Sequence, residues 1–529
     1  MEQQGPRTAV EAPPEHTVGD VLRIAAARRP DRTALVDGAL VDGAPGADRA
    51  WTTAEVLADA ERVARALLRR FAPGEKVAIW APNSPEWVLV EFGAALAGLT
   101  LVTVNPAYLA AEVEFVLGQS RASGVVVAPE FRGRDLVAVV EEVRPRLDAL
   151  REVVPLGDWD AFLGSGEPDA ALPAVAPTDI AQVQYTSGTT GSPKGTLLTH
   201  RGLALNGRVF AEALGAGESD VWINPMPLFH TAGCGLTTLG ALQTGGAHVV
   251  PPAFEPGLVL DLFEAHRGSV ILCVPTMLVR LLDDPSLAAR DLASWRLVAL
   301  GGAPVAPDLV ARAEKALGVA VTIGYGQTEA SPYITHTLPD DPNPQWAHTV
   351  GRPLPHVEVR ITDAASGAPL PPGGVGEIRT RGICVMAGYF DAPEATRAAL
   401  EDGWLRTGDL GSLDADGYLR IQGRLKDMII RGGENVYPRE VEDVLHSHPA
   451  VAGAAVLGTP DPEWGETVAA VVQLREGASV DGAELERFCR QHLASFKTPR
   501  TWRFVDGFPQ TASGKIQKFA LRDLVAGPG

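Results

Sequence analysis

Tyr185-Thr186-Ser187-Gly188-Thr189-Thr190-Gly191-Ser192-Pro193-Lys194-Gly195 is a run of hydroxyls and glycines that ends in a lysine. Glycine lets backbone N–H groups turn toward an anion, hydroxyls donate further hydrogen bonds, and lysine adds a positive charge. The composition is therefore that of a polyphosphate cradle. Its spacing is not that of a Walker A loop, which needs Gly, four residues, then Gly-Lys-Ser/Thr. Counted from Gly188, the matching positions read Pro193-Lys194-Gly195. Val183 and Tyr185 lead in with strand-like residues, and Thr196-Leu197-Leu198-Thr199-His200 resumes an apolar run. The plainer alternative for such a composition is a flexible turn, and the tight bracketing by two regular elements argues against it.

The surroundings fit a large globular enzyme. A chain of 529 residues allows roughly two to four domains with ample core. A hydrophobic fraction of 46% against 21% charged residues describes an ordered, globular sequence. The net charge of -19 argues against a nucleic-acid-binding face, so an anionic ligand has to be met by locally placed cations. Cys234, Cys273, Cys384 and Cys489 are scattered with no Cys-x-x-Cys pair, which argues against structural zinc and against a disulfide framework. Met1 to Pro14 is polar with no basic region before an apolar core, so no secretory signal is expected and a cytoplasmic location is. The most apolar stretch, Trp87 to Val104, contains Glu91 and two glycines and breaks at Asn105-Pro106. It reads as a buried helix followed by a strand, not as a membrane span.

Helical and strand-like segments alternate in the first part: Thr17 to Arg28 as a helix, Lys76 to Trp80 and Ser123 to Val127 as strands. Strands separated by helices predict parallel sheets covered on both faces, an α/β architecture. Asp158 to Asp179, rich in Ala, Pro, Gly and acid, reads as a surface connection into the phosphate loop. Val375 to Thr380 and Tyr418 to Ile421 read as a small antiparallel, β-rich unit. Beyond about residue 424 the pattern changes to a short helix at Glu440 to His446, strands at Ala454 to Leu457 and Thr467 to Leu474, and a helix at Ala483 to Leu493. The division expected is a large N-terminal domain over 1–423 and a small α+β domain over 424–529, with a ligand cleft between them.

Three further clusters carry chemistry. In Gly324-Tyr325-Gly326-Gln327-Thr328-Glu329, glycines flank an aromatic ring that can lie flat on a ligand, Thr328 can donate to a phosphate, and Glu329 can hold Mg²⁺. A strand turn with a buried tyrosine is the alternative. In Trp404-Leu405-Arg406-Thr407-Gly408-Asp409-Leu410, the aspartate can accept both hydroxyls of a ribose, or simply serve a turn. Near the C-terminus, Ser513-Gly514-Lys515 places a lysine in a tight loop.

These four motifs, in this order from Thr186 to Lys515, closely resemble those of the adenylate-forming superfamily, which includes acyl-CoA synthetases, aryl-CoA ligases, luciferases and adenylation domains. The resemblance implies that Thr186, Ser187, Gly188, Thr189, Thr190 and Lys194 hold the phosphates of ATP. It implies that Gly302, Ala303, Pro304, Gly324, Tyr325, Gly326 and Gln327 line the adenine site, with Tyr325 stacked on the base. Thr328 then meets the α-phosphate, Glu329 binds the metal, and Asp409, Ile421 and Arg424 flank the ribose. Lys515 is implied to be the adenylation lysine. A carboxylate must attack the α-phosphate, anion on anion, and a cation between them stabilises the developing charge while Mg²⁺ neutralises pyrophosphate.

Arg431-Gly432-Gly433-Glu434 resembles the turn that swings toward the active site once the acyl-AMP has formed and helps make a pantetheine tunnel, with Lys426 as the hinge. Without that context Lys426 is a surface lysine. The implied reaction has two steps, acid and ATP to acyl-AMP and pyrophosphate, then acyl-AMP and CoA to acyl-CoA and AMP. Amino-acid-activating relatives place an aspartate near Pro227 to Gly233, and this chain has none there. His230 resembles the histidine at the carboxylate end of the acid pocket, with Cys234, Gly301, Gly324, Pro332 and Tyr333 along the acyl channel. Medium-chain fatty acids are the expected substrates. An aryl acid, a carrier protein in place of CoA, a homodimer and a nucleotide-binding protein without turnover stand as alternatives.

Overall fold

Helix Pro85–Leu96 shows how sequence sets the layers. Ser84 caps it by accepting from the Trp87 N–H, Pro85 opens its first turn, and every residue except Glu86 is buried. A helix that is apolar all round belongs in an interior. The strand that follows, Thr100–Val104, is buried throughout, as a central parallel strand covered on both faces should be.

The computed structural model describes residues 15–41, 44–45, 49–186, 193–509 and 516–526. The expectations for Ser187, Gly188, Thr189, Thr190 and Lys515 fall outside those residues. Thr100–Val104 lies in a seven-stranded sheet of order Glu152–Pro155, Gly124–Val127, Lys76–Trp80, Thr100–Val104, Ile180–Thr186, Lys194–Thr199, Gly388–Tyr389. The first five strands are parallel and the last two antiparallel. A nine-stranded sheet runs Arg352–Pro353, Tyr333–His336, Ala320–Gly326, Leu297–Leu300, Val270–Cys273, Val221–Ile223, Ala247–Val250, Thr33–Asp37, Ala50–Thr52. Its six central strands are parallel, with antiparallel strands at both edges.

The expected β-rich unit is a five-stranded antiparallel sheet built on Val357–Thr362, Gly376–Gly382, Trp404–Leu413, Leu400–Glu401 and Leu419–Arg424. The smaller C-terminal domain has its own sheet, with Gly465–Leu474 and Val451–Asp461 as the long pair. Helices Pro438–His446 and Gly482–His492 share one apolar cluster with it, and Lys518–Ala526 belongs to a second. The connection over 158–179 carries one short helix, Trp159–Gly164, with Phe162 and Leu163 buried.

What matters for function is where the chain leaves the parallel strands. The phosphate loop follows Ile180–Thr186, Gly301 to Pro304 follow Leu297–Leu300, Gln327 to Glu329 follow Ala320–Gly326, and the His230 segment follows Val221–Ile223. In open α/β sheets such C-terminal ends form the ligand crevice.

Candidate functional site

The segment carrying His230 is held from the other sheet. Asn83 donates from Nδ2 to the Met226 carbonyl at 3.0 Å and accepts at Oδ1 from the Leu228 N–H at 2.8 Å. Thr103 donates to the Phe229 carbonyl at 2.7 Å, and Gln184 accepts at Oε1 from the Thr231 N–H at 2.9 Å. Asn83, Thr103, Gln184 and Thr231 are all buried, so each bond spares a backbone group an unpaired burial. His230 itself is half-buried, and its Nδ1 accepts from the Ala232 N–H at 3.2 Å. A widened π-type helix, Ala232–Thr238, begins directly after it, a geometry that recurs at functional sites.

Of the expected channel residues, Cys234 is fully buried, with its sulfur 3.5 Å from Gln182 Oε1 and 3.4 Å from Gln184 Nε2. Burial pushes its thiol pKa far up, which makes the thiol chemically inert. Tyr333 lies across two glycines. A Cβ at Gly301 would sit 2.1 Å from the Tyr333 hydroxyl, and one at Gly324 would sit 2.5 Å from the ring. Asn206 fixes this wall by exchanging hydrogen bonds with the Tyr333 backbone, at 3.0 Å to its N–H and 2.8 Å to its carbonyl, and Phe210 meets the ring edge-on at 5.3 Å. Pro332 follows a cis peptide bond, and its carbonyl accepts from the Gln327 N–H at 2.9 Å. A Cβ at Gly326 would meet that carbonyl oxygen at 1.9 Å, so only glycine fits.

The nucleotide-type residues form two linked groups. Tyr325 Oη donates to Asp409 Oδ2 at 2.8 Å, and Arg424 Nε stands 3.3 Å from Asp409 Oδ1. Ile421 and Tyr325 pack against the same small apolar cluster of the five-stranded sheet. Burial, reinforced by the Asp409 charge, drives the Tyr325 hydroxyl far above its usual range, so it stays a donor. In the second group, Glu329 Oε1 accepts from Tyr389 Oη at 2.8 Å, and the Lys194 ammonium lies 5.1 Å over the Tyr389 ring. Thr328 is buried in the one-turn helix with Glu329, whose carbonyl accepts from the Met386 N–H at 2.8 Å. Thr186 pairs in register with Lys194 at the base of the phosphate loop. Gly302, Ala303 and Pro304 leave the end of Leu297–Leu300 at least partly exposed.

The residues expected to serve the acceptor lie elsewhere. Lys426 is exposed in the one-turn helix Leu425–Asp427, directly after Arg424. Gly432 and Gly433, at φ 60° and 87°, make an exposed turn between Ile429–Arg431 and Glu434–Val436, with Glu434 exposed beside it. Arg431 faces into its own domain, where its guanidinium donates to the Phe496 carbonyl at 2.7 Å.

Sequence reasoning missed Tyr389, Asn83, Asn206 and Gln184. Tyr389 stands 60 residues from the carboxylate it holds, in a two-residue strand with no motif around it. Gln184 offered one signal, since with Gln182 it is one of two amide side chains inside a buried strand.

Comparison with known proteins shows the family. The AMP-binding enzyme family matches residues 22–390, and the AMP-binding enzyme C-terminal domain matches 440–515. The chain is 40% identical over 517 residues to a Mycobacterium tuberculosis CoA ligase named for a ring-substituted propanoyl group, covering 94% of this chain and 96% of that one. It is 34% identical over 542 residues to the mitochondrial medium-chain acyl-CoA ligase ACSF2 of Macaca fascicularis, covering 96% and 87%. Among solved structures, ATP-bound MatB from Rhodopseudomonas palustris superposes with a TM-score of 0.87 at 31% identity, covering 96% of this chain and 98% of that one. The two matched domains, the motifs at the strand ends and the full-length relatives lead to one assignment: the chain belongs to the AMP-binding enzyme family, among its acyl-CoA ligases.

Proposed function

We propose that this enzyme activates a medium-chain fatty acid with ATP and transfers the acyl group to CoA. The observation that carries the reading is that Tyr325, Asp409 and Arg424 on one side and Glu329 and Tyr389 on the other converge at the end of strand Ala320–Gly326. That gives a ring for adenine, a carboxylate for ribose hydroxyls and a carboxylate for a phosphate-bound cation. His230 lies at the acid's carboxylate, and Cys234, Gly301, Gly324, Pro332 and Tyr333 border the acyl chain.

In the first step a carboxylate oxygen of the acid bonds to the α-phosphorus and the bond to the pyrophosphate oxygen breaks. Lys194 and the loop from Thr186 through Thr190 hold the departing pyrophosphate, Thr328 donates to the α-phosphate, and Lys515 stabilises its developing charge. In the second step the CoA thiolate bonds to the acyl carbon and AMP leaves, so the protein supplies no nucleophile. The two bodies divide near residue 424, at the end of strand Leu419–Arg424. Rotation about Lys426 exchanges Lys515 for the Gly432–Gly433 turn, whose exposed backbone suits close approach to pantetheine.

Mg²⁺ fits the donor set: among the described residues no group of three or more His, Cys, Asp or Glu could hold a metal alone. A single carboxylate, Glu329, supplemented by substrate phosphates is the arrangement Mg²⁺ favours. Bound there, it would neutralise charge on the phosphates.

An aryl or other ring-bearing acid is the second reading. It is favoured by the Tyr333 ring lying against Gly301 and Gly324, an aromatic wall in the expected acyl channel. A carrier protein as acceptor and a homodimer belong to the same proposal only as variants. A panel of fatty acids from short to long, with benzoates and cinnamates, separates the readings by AMP release with CoA present. A peak among medium chains supports the first, and a peak among aryl acids replaces it. Acyl-AMP that accumulates and cannot be discharged by CoA would sink the ligase assignment.

A further inference from the structure

Glu91 is a carboxyl group 2% exposed, on the apolar helix Pro85–Leu96, and no step above uses it. Its surroundings form a directed chain. The Thr231 N–H is a fixed donor, so Gln184 must turn Oε1 toward it, at 2.9 Å. That choice aims Gln184 Nε2 at Gln182 Oε1, at 2.7 Å. Gln182 then has only its Nε2 to offer, and this donates to Glu91 Oε1 at 2.7 Å. The polarity of both amides is thus set at the Thr231 end and terminated at the Glu91 end. Gln182 and Gln184 are each 2% exposed, so neither can replace a lost partner with solvent.

Burial pushes the Glu91 carboxyl up to about 8, partly offset by Gln182 and Cys234, so near neutral pH it is a neutral acid that still accepts through Oε1. Gln184 also lies two residues before Thr186, where the chain enters the phosphate loop. The same chain of bonds therefore ties that strand to the segment bearing His230.

We propose that Glu91 is a positioning residue for the acid substrate: as the terminal acceptor of the Gln182–Gln184–Thr231 chain it fixes the segment that presents His230, without touching substrate. The proposal rests on the reading of His230 as the residue at the acid's carboxylate.

Steady-state kinetics on the full chain test it with Glu91→Leu, Glu91→Gln, Gln182→Met and His230→Ala. Glu91→Leu leaves a buried donor unpaired and is expected to raise KM for the acid roughly tenfold while KM for ATP stays within about twofold. Glu91→Gln keeps an acceptor oxygen and is expected to recover most of that loss. Gln182→Met interrupts the chain at its middle, should reproduce the Glu91→Leu pattern, and decides the matter if Glu91→Leu is insoluble. A rise shared equally by acid and ATP, or Glu91→Gln as impaired as Glu91→Leu, overturns the proposal. If His230→Ala raises KM for the acid while Glu91→Leu and Gln182→Met do not, the Glu91 proposal fails alone. If His230→Ala leaves it unchanged, the reading beneath it fails as well.

Discussion

At the His230 end of the cleft, backbone groups from Met226 to Thr231 are taken up by buried side chains of another sheet; at the Tyr325 end, the side chains we assign to the nucleotide are taken up by one another. On the proposed reading of His230, the acid would meet a segment whose backbone is already paired by Asn83, Thr103 and Gln184. Asp409 is occupied by Tyr325 and Arg424, and Glu329 by Tyr389, so a ribose or a metal ion has to exchange with existing bonds. Preorganisation lowers the cost of binding, and pre-paired side chains raise it. The two ends should therefore respond to mutation differently, one through stability and acid affinity, the other through nucleotide affinity alone.

The largest effect belongs to the residue assigned to act between the two ends. Lys515→Ala is expected to slow acyl-AMP formation roughly 10²–10³-fold while CoA attack on supplied acyl-AMP persists. If both half-reactions fall together, the two-state division of labour is wrong. Next, Asn83→Ala orphans two buried backbone groups and should cost about 3 kcal/mol in urea unfolding. A cost below about 1 kcal/mol would mean the segment is held by its remaining contacts.

Acidity should expose the same end. Burial holds His248, beside Asn224 at the start of the segment, down to about 3. An unfolded histidine binds its proton near pH 6.5, so stability present at neutral pH is lost as pH falls through that window. At pH 5 this residue alone should account for about 2 kcal/mol, which His248→Gln would remove from the pH profile of unfolding.

At the nucleotide end, Asp409→Ala should raise KM for ATP roughly tenfold and leave KM for the acid unchanged. A parallel rise for the acid would erase the contrast between the ends. The smallest effect carries the sharpest sign: Tyr389→Phe frees Glu329 from its partner, so Mg·ATP should bind up to about threefold tighter, as read by calorimetry. Weaker binding would mean that Tyr389 supports the bound state.

Much of this was legible beforehand. The motif loops could be placed because glycines, hydroxyls and charged residues interrupt apolar strands, and the strands themselves announced parallel sheets. Lys76–Trp80 matches the expected bounds, and Thr17 proved to be the cap of its helix. The supports of the site were not legible. Asn83 and Gln184 act on groups 143 and 47 residues away, and only the topology decides which strand end faces which loop. Glu91 was visible solely as an interruption that argued against a membrane span. Its partner Gln182 is adjacent in space because Thr100–Val104 pairs with Ile180–Thr186.

The edges of the two large sheets bear on how this chain is made. Strand Lys194–Thr199 is covered by Gly388–Tyr389, with the Phe390 N–H donating to the Gly195 carbonyl and the Ala387 N–H to that of Leu197. Likewise Leu35 waits for His248 as its parallel neighbour. During synthesis, the strand beside the phosphate loop keeps an unpaired edge until nearly two hundred more residues have emerged, a period in which such an edge can recruit another chain. Strand Thr33–Asp37 waits longer still, for Ala247–Val250, so chaperone protection of the nascent polypeptide should matter at both of these edges.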